Sequence, residues 1–190
     1  MLIPLKLSAQ TDEQLMQRAA RGNERCFEEL YNRHARRLQG FFCRRLGNDA
    51  ELAADLTHDT FLRLYDARKS YRDGKSFRSW LYTIAYNLCK NHHRSLSTNL
   101  VQTGETKLES VADNHDMELE LDSAILHDAL CNVLKHLSEP NAMLFSLHYE
   151  EELTVTQIAE ITQLPLGTVK SRLFKVMRII KEQLRQYANH

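Results

Sequence analysis

The stretch PLGTVKSRLFKVMRI, residues Pro165 to Ile179, reads as a helix with two unlike faces. At helical period Val169, Leu173, Val176, Met177, Ile180 and Leu184 gather into one apolar sector, while Thr168, Ser171, Arg172 and Lys175 fall on another. Lys170, Arg178, Lys181 and Arg185 widen the second sector into a basic flank. Hydroxyls and cations on one side of a helix suit phosphates and base edges. Just upstream, Thr154 followed by Gln157 is a capping-box pattern. Val155, Ile158, Ala159 and Thr162 then form a short stripe that stops before QLPLG, residues 163–167, with Pro165 and Gly167 as turn residues. So short a turn, with the small Ala159 allowing a close crossing, predicts a helix-turn-helix whose second helix reads DNA. The pattern alone leaves one alternative open, an ordinary helical hairpin with a solvated basic face.

Working outward, 190 residues can hold one domain of ordinary size or two small ones. Three prolines and six glycines, with helix-compatible spacing almost throughout, predict an all-α chain. No apolar run reaches the roughly 18 residues a membrane helix needs, and the N-terminus lacks a secretion signal, so the expected location is cytoplasmic. Cys26, Cys43, Cys89 and Cys131 form no CxxC pair and suggest neither a disulfide framework nor a zinc ribbon. Net charge is zero, but its distribution is uneven. Residues 1–99 carry 17 basic against 11 acidic side chains, residues 100–160 carry 2 against 13, and residues 161–190 carry 6 against 1. Two basic bodies flank an acidic middle, as expected when two surfaces meet one polyanion.

In chain order, residues 12–21 read as a short amphipathic helix ended near Gly22. Phe27, Leu30, Tyr31, His34, Leu38, Phe41, Phe42 and Arg45 repeat at three and four, and a third helix spans about residues 49–66. On that third helix Asp55, Asp59 and Arg63 form a ridge, either a partner surface or a solvated row of weak ion pairs. Residues 68–75 form a basic loop containing Tyr71 and Lys75, and Ser76 is placed to cap the next helix, FRSWLYTIAYNLCKNHHR. Phe77, Leu81, Ile84 and Leu88 make its buried stripe. Off that stripe lie Arg78, Tyr82, Tyr86, Asn87, Lys90, Asn91 and Arg94. Cations among aromatic rings and amides suit partly melted DNA, with rings stacking on unpaired bases and cations holding the backbone. Trp80 and one of the tyrosines fit the core better than a stacking platform.

Residues 96–119 lose periodicity and gain acids, which predicts a flexible linker between a domain at 1–95 and one at 120–190. Periodicity resumes with Leu121, Ile125, Leu126, Ala129, Leu130, Val133, Leu134 and Leu137, and another helix is expected around residues 141–150. No nucleotide-binding loop, nucleophile elbow or zinc spacing occurs, so neither catalytic residues nor a cofactor is expected. Cys89, His92 and His93 are the one weak group for a metal, more often incidental than a site.

FEELYNRHARRLQGFFCRRL, ADLTHDTFLRLY, FRSWLYTIAYNLCKNHHR and LPLGTVKSRL resemble, in order and spacing, the extracytoplasmic-function sigma factors of bacterial RNA polymerase. The resemblance implies two helical domains, regions 2 and 4, and a monomer when free. It implies that Asp55, His58 and Asp59 meet the clamp helices of the polymerase largest subunit, with His58 where an amide is common. It assigns the minus-10 element to Tyr71, Lys75, Arg78, Trp80, Tyr82, Tyr86, Asn87, Lys90, Asn91 and Arg94. Region 4 would dock on the polymerase flap and read the minus-35 element through Thr168, Lys170, Ser171, Arg172 and Lys175. An anti-sigma factor that covers the polymerase-binding faces is also implied. Three positions depart from the family pattern: Asn91 stands for an acid, Ala142 for an arginine and Glu152 for a glycine. The rival expectation is a stand-alone helix-turn-helix regulator, dimeric and bound to a palindrome without polymerase.

Overall fold

The computed structural model describes residues 7–72, 74–103, 130 and 132–185. It divides into two compact units, Met1–Val111 and Ala112–His190. Helices and turns make up the described residues of both, with no strand among them.

In the first unit a tight turn at Leu7–Ala9 leads into α1 (Asp12–Ala20), α2 (Glu24–Arg45) and α3 (Ala50–Asp66). A second tight turn, Arg68–Ser70, precedes the long α4 (Phe77–Thr103). The helix starts are capped by the residues that the pattern favours. Thr11 forms a capping box with Gln14, and Asp49 accepts the Leu52 N–H at 2.9 Å. Gly47 (φ 71°) followed by Asn48 (φ 63°) turns the chain out of α2, two left-handed residues in a row that only such side chains adopt cheaply. Leu15, Leu30, Leu38, Phe41, Phe42, Leu64, Phe77 and Leu81 are wholly buried between the four helices. At roughly 1.5 to 3 kcal/mol for each such side chain, this core outweighs every surface ion pair in the unit.

Helix α4 runs on past the expected linker boundary at residue 96. The rest of that linker, and the expected stripe at Leu121, Ile125, Leu126 and Ala129, lie outside the described residues.

The second unit contains a helical segment at residues 132–135, α5 (Glu139–Phe145), α6 (Val155–Thr162) and α7 (Leu166–Leu184). The helix expected around 141–150 is α5 followed by a wider π-helical turn, Ser146–Glu150. Leu144, Leu147, Leu153, Ile158, Ile161 and Val169 are buried in its core. Val133 and Phe145 pack with Val176 and Ile180 of α7, flanked by Leu130, Leu134 and Leu137.

The turn between α6 and α7 differs from the expectation in one detail. Gly167 lies inside α7, and the left-handed residue is Gln163 (φ 58°). Its side-chain amide donates to the Glu160 carbonyl at 2.6 Å, which supplies an open carbonyl at the end of α6 with a partner. Glu152, which stands where the resemblance marks a glycine, has φ 53°, the conformation in which a glycine costs least. His148 Nδ1–H donates to the Leu153 carbonyl at 2.8 Å and closes that loop over the start of α6.

Candidate nucleic-acid interface

On α7 the apolar sector is inward and the basic sector outward. Val169 and Val176 are fully buried and Leu173 nearly so, whereas Lys170, Ser171 and Lys175 are exposed and Thr168 and Arg172 half-buried. The Ser171 hydroxyl donates back to the Thr168 carbonyl at 3.1 Å. The capping box predicted at Thr154 and Gln157 is present and fixes the start of α6, which packs under α7. Phe174, absent from the expected site, is 73 % exposed on the same helix between Lys170 and Arg178. Its position, one helical turn beyond Lys170, is readable from the sequence; that an apolar ring faces outward is not. Arg178 and Glu182 lie 3.9 Å apart and both are well exposed, a pair too loose to neutralise the flank.

The promoter-facing candidates of the first unit fall into three groups. Asn87, Lys90, Asn91 and Arg94 lie exposed along one side of α4 with the half-buried Tyr86 at its edge, Arg78 lies in the first turn on a different side, and Lys75 is exposed in the loop. Tyr71 and Trp80 form a stacked pair with centroids 5.5 Å apart and planes 26° apart, and the Tyr71 hydroxyl donates to the Lys75 carbonyl. The loop ring is therefore laid on the helix. Tyr82 corrects the expectation: it is 1 % exposed and sits edge-on to Phe41 at 5.4 Å. Helix α4 buries Phe77, Leu81, Tyr82, Ala85, Leu88 and Cys89 and leaves Ile84 of the predicted stripe half-buried, a wider sector turned toward Tyr82 and Cys89 because α1, α2 and α3 all pack against it. A ring in that sector has no face for a base.

On α3, Asp55 and His58 lie on the outer side, while Asp59 pairs with Arg63 at 2.9 Å. Leu62 (51 % exposed) and Tyr31 (40 %) belong to the α2–α3 pair of the same unit, with Tyr31 against Phe61 at 4.8 Å. Sequence reasoning picks out the acids and misses these apolar neighbours, which a periodic pattern assigns to the core. Cys89 is buried and the His92 and His93 rings lie 6.1 Å apart, but no three-ligand group suited to a metal occurs among the described residues.

A polar network at the N-terminal end of the unit leaves no trace in the sequence pattern. Arg33 donates to the Leu7 and Gln10 carbonyls, both at 2.9 Å, and pairs with Asp12 at 3.1 Å and Glu29 at 2.9 Å. Asp12 also meets His34 Nε2 at 2.7 Å. Burial would raise the Asp12 carboxyl, but the hydrogen bonds and charges of His34 and Arg33 prevail and hold it below its ordinary value.

Residues 30–98 match the Sigma-70 region 2 model and residues 127–180 the Sigma-70, region 4 model. The RNA polymerase sigma-H factor of Pseudomonas aeruginosa is 30 % identical over 193 residues, covering 94 % of this chain and 96 % of the relative. The ECF RNA polymerase sigma-E factor of Haemophilus influenzae is 28 % identical over 185 residues, covering 92 % of this chain and 95 % of the relative. Among solved structures, the sigma factor RpoE in complex with the anti-sigma factor NepR from Bartonella quintana has a similar fold. Its TM-score is 0.70 at 22 % identity, over 84 % of this chain and 96 % of that one. CnrH in complex with the cytosolic domain of CnrY gives 0.66 at 21 % identity, over 92 % and 97 %.

Proposed function

This chain belongs to the sigma-70 family of RNA polymerase sigma factors, in its extracytoplasmic-function group, and from that membership we propose how its parts divide the work. It is a transcription initiation factor that directs core RNA polymerase to promoters. In our reading it performs no catalysis and needs no cofactor, the phosphodiester chemistry being the polymerase's own. The first unit meets the clamp helices of the largest subunit through Asp55, His58 and Asp59, with Leu62 supplying apolar contact beside the charges. The same unit opens the minus-10 element with Tyr71 and Trp80 at the strand junction. Arg78, Tyr86, Asn87, Lys90, Asn91 and Arg94 track the separated backbone. The second unit docks on the flap and reads the minus-35 element with Thr168, Lys170, Ser171, Arg172 and Lys175.

The observation that carries this reading is the split of α7. A stripe of Val169, Leu173 and Val176 is sealed in the core, and Lys170, Ser171 and Lys175 are left outward, with no acidic partner among the described residues. Each unit needs only modest DNA affinity, because two sites on one chain bound to polymerase raise each other's effective concentration. One similar fold is that of a sigma factor held by an anti-sigma factor. We extend that arrangement to this chain, with an inhibitor that covers the polymerase-binding faces in the cytoplasm until a signal removes it.

The test is run-off transcription with core polymerase. Promoter-dependent transcript is expected only when the chain is added, and Arg172→Ala should weaken use of the upstream element while leaving polymerase binding intact. If no transcript appears and the isolated protein instead protects a palindromic duplex as a dimer, the stand-alone regulator is the correct reading.

A further inference from the structure

Where α4 begins decides how its promoter side is presented, and the first peptide group of that helix is held from outside it. The Phe77 N–H donates to Glu13 Oε1 of α1 at 3.2 Å, across 64 residues of sequence. The local cap, Ser76, takes a different group, the Ser79 N–H, at 3.3 Å. The open N–H groups of a helix start are ordinarily met by the residues just before it. Here a second acceptor comes from another helix, and it is a carboxylate facing the positive end of the α4 dipole.

The ring of Phe77 is held from the same side. It is wholly buried and meets the His34 ring at 5.3 Å, and His34 is fixed by Asp12, the residue next to Glu13. Adjacent acids of α1 thus grip one residue twice, Glu13 by its backbone and Asp12 by its ring through His34. Arg33 in turn fixes the segment ahead of α1 by its bonds to the Leu7 and Gln10 carbonyls. Leu7, Gln10, Asp12 and Glu13 precede residues 30–98, the part that matches the region 2 model, whereas Arg33 and His34 lie within it. Tyr71, just past the tight turn at Arg68–Ser70, lays its ring on Trp80 one turn inside α4. A shift of the helix start moves Trp80 and the ring stacked on it.

We propose that Glu13 is a positioning residue for promoter opening: its carboxylate pins the first N–H of α4 and so sets the pose of the Tyr71–Trp80 pair at the strand junction. The proposal rests on reading α4 and its loop as the strand-opening surface. The experiment compares the full chain and two variants, with core polymerase, on a duplex promoter and on the same promoter pre-opened by a mismatched bubble. Trp80 is the only tryptophan of the chain, so its emission reports the pose of the pair in the free protein as well.

Glu13→Ala is expected to slow open-complex formation on the duplex about tenfold, as loss of one charge-assisted hydrogen bond allows, with less than about a twofold change on the bubble. Affinity for core polymerase should be unchanged and Trp80 emission should move to longer wavelength. Glu13→Gln keeps a carbonyl acceptor on the same stem and should restore most of the duplex rate. Equal duplex rates and unchanged Trp80 emission in Glu13→Ala would overturn the proposal. So would a parallel loss of polymerase affinity and bubble activity, which marks a merely structural bond. Should the native chain open no promoter with polymerase, the promoter reading itself fails, and Trp80 emission in the free variants still decides whether Glu13 sets the pair.

Discussion

The two units hold the helices that we propose face DNA in different ways. In the first, α4 is packed through Phe77, Leu81, Tyr82, Ala85, Leu88 and Cys89, and polar ties from distant sequence are added at its start: Glu13 at its first N–H, and Asp12 and Arg33 behind it. Its aromatic candidates are engaged within the protein, Tyr71 stacked on Trp80 and Tyr82 sunk against Phe41. In the second, α7 is fixed by apolar packing along one stripe and by tight turns, and its exposed cations and Phe174 stand ready outward. The difference suits two tasks. A surface that receives unstacked bases must hold rings in reserve and release them, whereas a helix that reads intact duplex can present its side chains in advance.

The largest effect that sharpens this contrast is removal of apolar volume from the second unit. Leu147 is wholly buried within the π-helical turn, and Leu147→Ala should cost about 2 to 5 kcal/mol, the usual range for a buried leucine. Hydrogen exchange should show the drop in protection confined, among the described residues, to 132–185, because Leu147 lies within the second compact unit. Equal deprotection of α1 and α2 would mean the two regions do not hold themselves together separately.

In the first unit the corresponding weak point is polar. Arg33→Ala removes two carbonyl bonds and two ion pairs at a half-buried site and should cost about 2 kcal/mol, with Arg33→Lys recovering little because an ammonium cannot fork to four acceptors. The same network fixes an acid dependence. The Asp12 carboxyl lies lower in the folded chain than its ordinary 3.8, so its contribution is complete above about pH 4 and is lost as pH falls through the folded value. Asp12→Asn should therefore lower stability at neutral pH and flatten the decline below about pH 4, as read by unfolding midpoints across that window. A variant that loses stability in parallel with the native chain down to about pH 2 would show that Asp12 is not the group responsible.

How far the sequence can be read follows the same division. The stripes of α2 and α7, the caps at Ser76 and Thr154, and the helix-turn-helix are legible because each is a local pattern with a period or a fixed offset. Tyr82 escapes such a reading because three helices cover α4, a fact of packing that a single helical wheel does not contain. Glu13 on Phe77 and Arg33 on Leu7 are out of reach for the same reason: a bond across 64 or 26 residues leaves no periodic trace. The pattern points to Gly167 as the turn residue because glycine is the usual left-handed residue, yet Gln163 holds that place with its own amide.

Two smaller effects belong to the unit proposed to read duplex. Lys170→Ala and Lys175→Ala should each weaken promoter binding by the holoenzyme by about 1 kcal/mol and reduce the slope of log affinity against log salt by about 0.9 for each phosphate no longer neutralised. An unchanged slope would mean that these cations meet bases or solvent rather than backbone.

The smallest expected change is a gain. Glu152 holds φ 53° in the loop between the π-helical turn and α6, a conformation that costs an ordinary side chain roughly 1 to 2 kcal/mol. Glycine escapes that cost but loses roughly 0.5 to 1 kcal/mol in the freedom it gives up on folding. The first term is the larger, so Glu152→Gly should raise the stability of the second unit by about 0.5 to 1 kcal/mol, with Glu152→Ala gaining nothing because alanine keeps the Cβ that makes the conformation costly. Thermal unfolding of the two variants decides the matter. If alanine stabilises as much as glycine, the effect comes from removing a carboxylate next to Glu150 and Glu151 rather than from the backbone, and the tight loop ahead of α6 is governed by charge, as the Arg33 network at the start of the first unit is.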